Sequence, residues 1–469
     1  MPAEKKNKTF RIRNILLTIA LSIYAVAQSL IHNPDPDAFF LIDLGRYIVH
    51  NHTVPREAYW YVNDGLHTIV QQWLCDVVNY LVYSVGKDYG MVALGIMMNG
   101  ILFISIYRYG KEVLKDKAVA FNASVFCWIA LNQFISTRPY AITISVALAE
   151  VLILRRYVHT EKHTGKELLA FTAKICALFV FLANWQSSNI LFLILFMLCY
   201  IPVIKDRKLR IDWSVLAAMS AGIITTVVNP NGIKGMLYLW YSRGYLAPFD
   251  IVEVSPPQLV SVYTFLIMII VILCIYAVIC KKITSDELLM AAGCVLMSCL
   301  FMRCCWTLII PLVMMLKNIS FTKRSDQILK YGYIAVGFVC IFQIADFYLE
   351  KTDDRSEMIK SLPDPSQTVL YTDFNTGSFF LVDGYKIYYD SRPELIGREI
   401  AGENAFYDEA VSVWNGSADY DSFIASHDFN YFAPSAGSNM DNYLSSHPDS
   451  YEMIYSNAGD EIIIYRKIQ

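Results

Sequence analysis

The last 121 residues of this 469-residue chain contain no cysteine, no Gly-rich phosphate loop and few basic side chains. Each absence excludes something. Without cysteine, the polar C-terminal region has no disulfide framework of its own. Without a Gly-rich turn feeding a helix, it lacks a phosphate cradle for nucleotides. With 21 Asp and Glu against 8 Lys and Arg, a net of -13, it presents no surface for nucleic acid. Charge is also scarce over the chain as a whole, at 17% of residues against 55% hydrophobic, with a mean hydropathy of +0.38. That balance describes a polytopic membrane protein joined to a water-soluble body. Residues 1–348 carry 31 basic and 21 acidic side chains, so the overall -3 hides two bodies of opposite sign. All eleven cysteines lie between Cys75 and Cys340, mostly in apolar segments, where thiols pack as small hydrophobes. No CxxC pair or Cys/His cluster has zinc-ligand spacing, and Cys304-Cys305 is a vicinal pair.

Apolar runs predict about eleven spans, at 13–31, 89–109, 118–135, 139–154, 168–183, 189–204, 213–229, 258–280, 286–302, 304–316 and 328–348. Alternate connectors hold 23 Lys and Arg, and the opposite connectors hold seven: Arg46, Arg56, Lys87, Arg138, Lys234, Arg243 and Arg303. The positive-inside rule then places the N-terminus in the cytoplasm and the acidic tail outside. Trp73–Val85 is short, with Trp73, Leu74, Val77, Val78, Leu81, Val82 and Val85 on one helical face and Asp76 and Asn79 on the other. It is read as an amphipathic helix in the outer interface. The tail, 349–469, is expected to be an α/β domain. Its predicted strands are Val369–Thr372, Lys386–Asp390, Tyr431–Ala433, Tyr451–Tyr455 and Glu461–Arg466, with a turn at Asn457–Asp460.

The first external loop, 32–88, is where chemistry concentrates. Asp35, Asp37 and Asp43 stand near the membrane edge, followed by His50, His52, Glu57, Asp64 and His67. Asp37 is the first candidate for a general base, because group transfer to an acceptor hydroxyl needs a carboxylate to take its proton. Asp35 and Asp37, two apart, also suit a divalent cation as a candidate cofactor, and Asp43 and Glu57 are further catalytic or metal candidates. The competing reading is that Asn33-Pro-Asp-Pro-Asp37 is a turn that stops the first helix and caps the next. Asp43 also fits a solvated helix face, and the three histidines lack metal spacing.

The outer ends of the helical hairpins repeat a polar pattern: Arg138 in STRPY, Asn184 in ANWQSSN, Asn229 in NPNG and Arg303 after the ninth span. Guanidinium groups at headgroup level suit a phosphate, which makes Arg138 and Arg303 candidates for a donor phosphate. Snorkelling to anionic lipid explains the same two residues equally well. Gln72, Asn184 and Asn229 are further site-lining candidates, with the indole of Trp73 at headgroup level.

These landmarks together resemble a family of bacterial polytopic membrane proteins related to the GT-C glycosyltransferases, which use polyprenyl-phosphate-linked sugars. The resemblance runs over nearly the whole chain, through DAFFLIDLGRYI, QQWL at 71–74, TRP at 137–139, ANWQSSN at 183–189, VNPNG at 228–232, VEVSP at 252–256 and FMRCC at 301–305. In the tail it takes in DFNTGSFFLV at 373–382 and YDSRPEL at 389–395. It implies an α-helical membrane bundle, GT-C-like, over 1–348, with an extracytoplasmic α/β domain over 349–469. It also implies retention of the first helix despite Ala25-Val26-Ala27, and an active site in the first external loop, with Asp37 at the acidic position. The sequence departs from the pattern where Glu57 fits the second acidic position only loosely and where Gln71-Gln72 replace His-Glu. The expected partners are a polyprenyl-phosphate sugar, a glycan, lipid or protein acceptor, and membrane lipids, in a bacterial plasma membrane. A transporter or flippase of lipid-linked sugars and a noncatalytic scaffold are the alternatives, and Glu150 and Lys174 are the intramembrane charges that a transporter would use.

Overall fold

The computed structural model describes residues 36–318, apart from residue 64 and short stretches near 132–136, 161–162, 206–207, 243–246 and 250–254, together with 355–456 and 462–468. The expected spans at 13–31 and 328–348, Asp35, Asp64, Arg243, residues 252–254 and the Asn457–Asp460 turn lie outside the described residues.

Helix α1, Pro36–Asn51, opens on a proline, whose missing N–H is no loss at a helix start. Its last turn closes on itself, with Asn51 Nδ2 donating to the Tyr47 carbonyl at 2.9 Å and His50 Nδ1 meeting the Arg46 carbonyl at 2.8 Å. After the loop comes α2, Trp73–Leu114, a 42-residue run with one break at Lys87, where φ is 48°. The bundle continues as α3 (Lys117–Ala130), α4 (Tyr140–Val158), α5 (Gly165–Trp185) and α6 (Ile190–Tyr200). A two-stranded hairpin follows, β1 (Pro202–Lys205) with β2 (Lys208–Ile211), and then α7 (Trp213–Thr225), α8 (Val262–Ile279), α9 (Ser285–Leu300) and α10 (Ile309–Leu316). Side chains cap several starts: Thr164 and Glu167 form a capping box at α5, Asp212 caps α7 and Ser261 caps α8.

Among the described residues three helices are long and apolar enough to cross a membrane: α2, α5 and α8. The remaining predicted spans within the described residues correspond to shorter or more charged helices. Helix α8 turns Phe265, Met268, Ile272, Ile275 and Ile279 outward, an apolar surface that water would penalise and lipid would not.

The start of α2 corrects one expectation. Asp76 and Asn79, the polar face of the expected amphipathic helix, are fully buried, while Leu81 and Val85 of its apolar face are exposed. The cause is the crossing with α1. Gly45 has no side chain, so α1 approaches until the backbone carbonyl of Asp76 occupies the space a Cβ would need. The polar face of this segment is therefore its most deeply packed face, while Trp73, Leu74, Val78 and Val82 of the apolar face are partly buried against the core and Leu81 and Val85 turn outward.

The C-terminal residues form a four-stranded sheet in the order β3 (Leu370–Thr372), β4 (Tyr431–Ala433), β6 (Ile463–Lys467), β5 (Tyr451–Ser456). The β3–β4 pair is parallel and the others antiparallel. Tyr371, Tyr388, Tyr389, Phe432 and Tyr465 fill the core on and beside it. The predicted strand at Lys386–Asp390 is reduced to bridges at Ile387, which pairs with Leu370 on one side and with Tyr61 of the first loop on the other. Backbone bonds from Val62 N to the Ile387 carbonyl and from Ile387 N to the Trp60 carbonyl, both 2.9 Å, stitch the loop to the tail. The ten described cysteines are all free.

Candidate active site

Asp37 lies in the first turn of α1, where the helix dipole favours a carboxylate. Two distant parts of the chain reach it. Ser391 Oγ, from the tail, donates to Asp37 Oδ1 at 2.8 Å, and Arg138 Nη2 stands 3.0 Å from Asp37 Oδ2. Both members of the ion pair are partly open, at 27% exposure for Arg138 and 22% for Asp37, which leaves room for a substrate to approach. The turn carrying Arg138 is fixed by Trp185 Nε1, which donates to the Pro139 carbonyl at 3.0 Å. One helical turn into α4, Thr143 Oγ1 donates to Gln186 Oε1 at 2.8 Å.

The tail segment Asp390–Glu394 is the second half of the site. Asp390 is fully buried, forms an ion pair with Arg392 through Nε and Nη2, and accepts a hydrogen bond from the Tyr61 hydroxyl at 3.2 Å. The Arg392 guanidinium lies over Phe40 of α1, 4.2 Å from the ring centroid, and 4.9 Å from that of Trp60. Burial works against this cation; Asp390 outweighs it and holds Arg392 firmly protonated. Glu394 accepts from the Tyr238 hydroxyl at 2.6 Å. Burial pushes the Glu394 carboxyl above the usual range, opposed by that hydrogen bond and by the charges of Arg303 and Arg392. Arg303, half-buried in the 3-10 turn Met302–Leu308, thus acts on the same tail segment from the other side.

The other predicted residues divide between neighbourhood and scaffold. Gln72 is buried and lines a small cavity with Arg392. Asn184 is a brace: its side chain accepts from Trp73 Nε1 at 2.7 Å and donates to the Val228 carbonyl at 2.8 Å. Asn229 shapes its own turn, accepting from Asn231 N at 2.8 Å and donating to the Gly232 carbonyl at 3.0 Å. Asp43 is not a solvated face: it is 3% exposed, ion-paired with Arg46 and bonded by the Tyr59 hydroxyl at 2.8 Å. Burial raises its pKa, against the pull of Arg46 and Tyr59. Arg46 in turn donates to the Val382 carbonyl at 2.8 Å, so this group ties α1 to the tail. Glu57, His50, His52 and His67 are exposed. Glu150 is buried, with neither carboxylate oxygen hydrogen-bonded among the described residues, and Lys174 is exposed.

Among the described residues no three His, Cys, Asp or Glu gather to hold a metal ion. Asp37 contacts Ser391 and Arg138 rather than a second carboxylate, and Asp35 is outside the described residues. No reaction step below runs through a cation.

Sequence reasoning missed Ser391 and Gly45. Ser391 sits inside the quoted YDSRPEL stretch, but nothing in a single sequence pairs a serine with an aspartate 354 positions away. Gly45, in DLGRY, carried the one available signal: a glycine inside an otherwise regular helical pattern marks close backbone approach.

No family model and no curated protein sequence matches the chain. Its fold does match solved structures. ArnT from Cupriavidus metallidurans, bound to undecaprenyl phosphate, aligns at a TM-score of 0.56 and 10% identity over 97% of this chain and 98% of that one. The Archaeoglobus fulgidus oligosaccharyltransferase, tethered to an acceptor peptide containing the NVT sequon, aligns at 0.54 and 9% identity over 90% of this chain and 69% of that one. Its apo form gives 0.51 at 10% identity, with the same coverage. Both proteins are GT-C glycosyltransferases. At these identities the likeness is one of fold: the chain has the GT-C fold.

Proposed function

We propose that this protein is a multi-pass membrane glycosyltransferase that moves a sugar from a polyprenyl-phosphate donor to a glycan, lipid or protein acceptor on the outer face of a bacterial plasma membrane. The observation that carries the reading is the meeting of Asp37, Arg138 and Ser391, three residues from the first loop, the bundle and the tail. ArnT, of the same fold, is bound to undecaprenyl phosphate, which supports a polyprenyl-linked donor. The split of 23 basic residues against seven supports an N-terminus inside and a tail outside.

In this reading Asp37 takes the proton of the acceptor hydroxyl, whose oxygen attacks the anomeric carbon from the face opposite the phosphate. The bond from that carbon to the phosphate oxygen breaks, and the polyprenyl phosphate leaves with both bonding electrons. Arg138 and Arg303 meet the charge it carries. Ser391 holds the carboxylate in one orientation, and the tail otherwise covers the site.

Asp37→Asn tests the reading, since Asn keeps the shape and the Ser391 bond but takes no proton. Turnover with polyprenyl-phosphate sugars should fall by at least about 10²-fold, with donor binding little changed. Near-full transfer by Asp37→Asn would refute Asp37 as the base, and near-full transfer by the matching Asp35 and Asp43 variants as well would sink the proposed site. Absence of any transfer across a panel of such donors would favour a transporter or scaffold.

A further inference from the structure

Around Phe40, about one turn along α1 from Asp37, lies a small cavity of about 40 Å³, space for two or three water-sized groups. Thr68, Gln71 and Arg392 all line it, each carrying a buried polar atom without a hydrogen-bond partner among the described residues: Thr68 Oγ1, Gln71 Oε1 and Arg392 Nη1. Arg392 is 7% exposed and Thr68 7%, so neither is an incidental surface group. Trp60 Nε1, on the same cavity, is a fourth such atom; buried polar atoms left unpaired are costly, and a bound polar ligand would satisfy them.

Their chemistry narrows the ligand. Arg392 Nη1 offers a donor, Gln71 Oε1 an acceptor and the Thr68 hydroxyl both. The adjacent Asp390 carboxylate neutralises the Arg392 charge, so the cavity has no surplus positive charge for a phosphate or carboxylate. A mixed donor and acceptor set without net charge suits vicinal hydroxyls, each of which gives and takes a hydrogen bond. The position fits as well. Phe40 lines the cavity and follows Asp37 by three residues on α1, a rise of about 4.5 Å. Arg392 follows Ser391, which holds the Asp37 carboxylate.

We propose that Thr68, Gln71 and Arg392 form a subsite that holds the hydroxyl-bearing edge of a sugar while its reacting atom lies at Asp37. The proposal rests on the transferase reading above and deepens it, by assigning specificity to a residue of the tail. The sugar is that of the donor or of a glycan acceptor.

Thr68→Val and Gln71→Met separate these cases. Each removes an unpartnered polar atom at nearly constant shape, so thermal stability of the full-length protein in lipid nanodiscs should hold or rise. Binding is measured with decaprenyl phosphate and with decaprenyl-phosphate-linked glucose, mannose, galactose and arabinose. For a donor subsite, each variant should lose about tenfold affinity for the sugar-bearing lipid bound by the wild type and none for decaprenyl phosphate. For an acceptor subsite, donor affinity holds and the KM for a glycan acceptor rises by a similar factor. Unchanged donor affinity and acceptor KM, with the wild type binding decaprenyl phosphate and transferring sugar, would overturn the subsite and leave the transferase reading standing. Loss of stability without a sugar-specific loss of affinity would also overturn it, as the mark of a structural role. A wild type that binds none of these lipids would overturn the transferase reading and the subsite with it.

Discussion

Replacing Asp390 by Asn isolates one charge in the contact between tail and loop. The side chain keeps its size and can still accept from the Tyr61 hydroxyl, but Arg392 loses its counter-ion at a position only 7% exposed. Removing one partner of a buried pair leaves an uncompensated ion and costs about 3–5 kcal/mol. Removing both charges, as Asp390→Asn with Arg392→Met, should be neutral or stabilising by up to about 4 kcal/mol, because neither charge is left to desolvate and the amide still accepts from the Tyr61 hydroxyl. The expected order of stability is therefore double variant at or above wild type, with Asp390→Asn well below. Urea unfolding followed by tryptophan fluorescence reads this order, since Trp60 lies against Arg392. Trypsin cleavage in the tail reads loss of docking separately. A loss under about 1 kcal/mol for Asp390→Asn, the range of a solvent-screened pair, would refute the reasoning. It would mean that Asp76 or Glu394, whose carboxyls also face the Arg392 charge, takes over as counter-ion.

Two further outcomes follow from packing and titration. Gly45→Ala would set a methyl group against the Asp76 carbonyl; the forced separation of α1 from α2 should cost about 1–3 kcal/mol, visible in thermal unfolding, and should weaken donor binding through displacement of Asp37. In the tail, His427 and Glu409 stand 3.4 Å apart. The hydrogen bond to Glu409 raises the His427 pKa, and on Glu409 burial is outweighed by the bonds from His427 and Tyr388. The glutamate's contribution is present above its ordinary 4.5 and lost as pH falls; the histidine's is present below its ordinary 6.5 and lost as pH rises through its raised value. The pair therefore contributes most between these limits, by about 0–1 kcal/mol after solvent screening, and Glu409→Gln should flatten that part of a melting-temperature profile.

Much of the tail was legible in sequence because its signals are local. Tyr431–Ala433 is the predicted strand residue for residue, and the helices and turns are punctuated by Asp, Ser and Gly. Lys386–Asp390 failed as a strand because its alternation reports extended backbone; whether extended backbone joins a ladder depends on what lies beside it, here Tyr61. The amphipathic pattern of Trp73–Val85 does not say which face packs, and a carboxylate usually seeks water. A glycine on α1 reversed that by letting a whole helix cover it. The same limit applies to the site. Asp37 and Arg138 were singled out separately on residue type and membrane depth, whereas their pairing, and the arrival of Ser391, are tertiary facts that spacing does not encode.

The two arginines are related through the tail. Arg138 reaches Asp37, which Ser391 holds, and Arg303 acts on Glu394, three residues further along the same segment. Three residues span at most about 11 Å even when fully extended, and Pro393–Ile396 is coiled into a 3-10 turn, which shortens the span further. The Arg303 charge therefore acts on the same short stretch of chain whose Ser391 holds the carboxylate paired with Arg138. In the proposed reaction an incoming donor phosphate would compete with Asp37 for the Arg138 guanidinium and loosen its hold on the carboxylate assigned as base. Only a planar fork can serve both oxyanions at once. Arg138→Lys should then weaken donor binding and lower turnover by a larger factor than it lowers affinity, while Arg303→Lys should weaken donor binding alone. Single-turnover kinetics beside equilibrium binding of a polyprenyl-phosphate sugar would separate the two. Unchanged donor affinity in both lysine variants would return these arginines to the lipid headgroups.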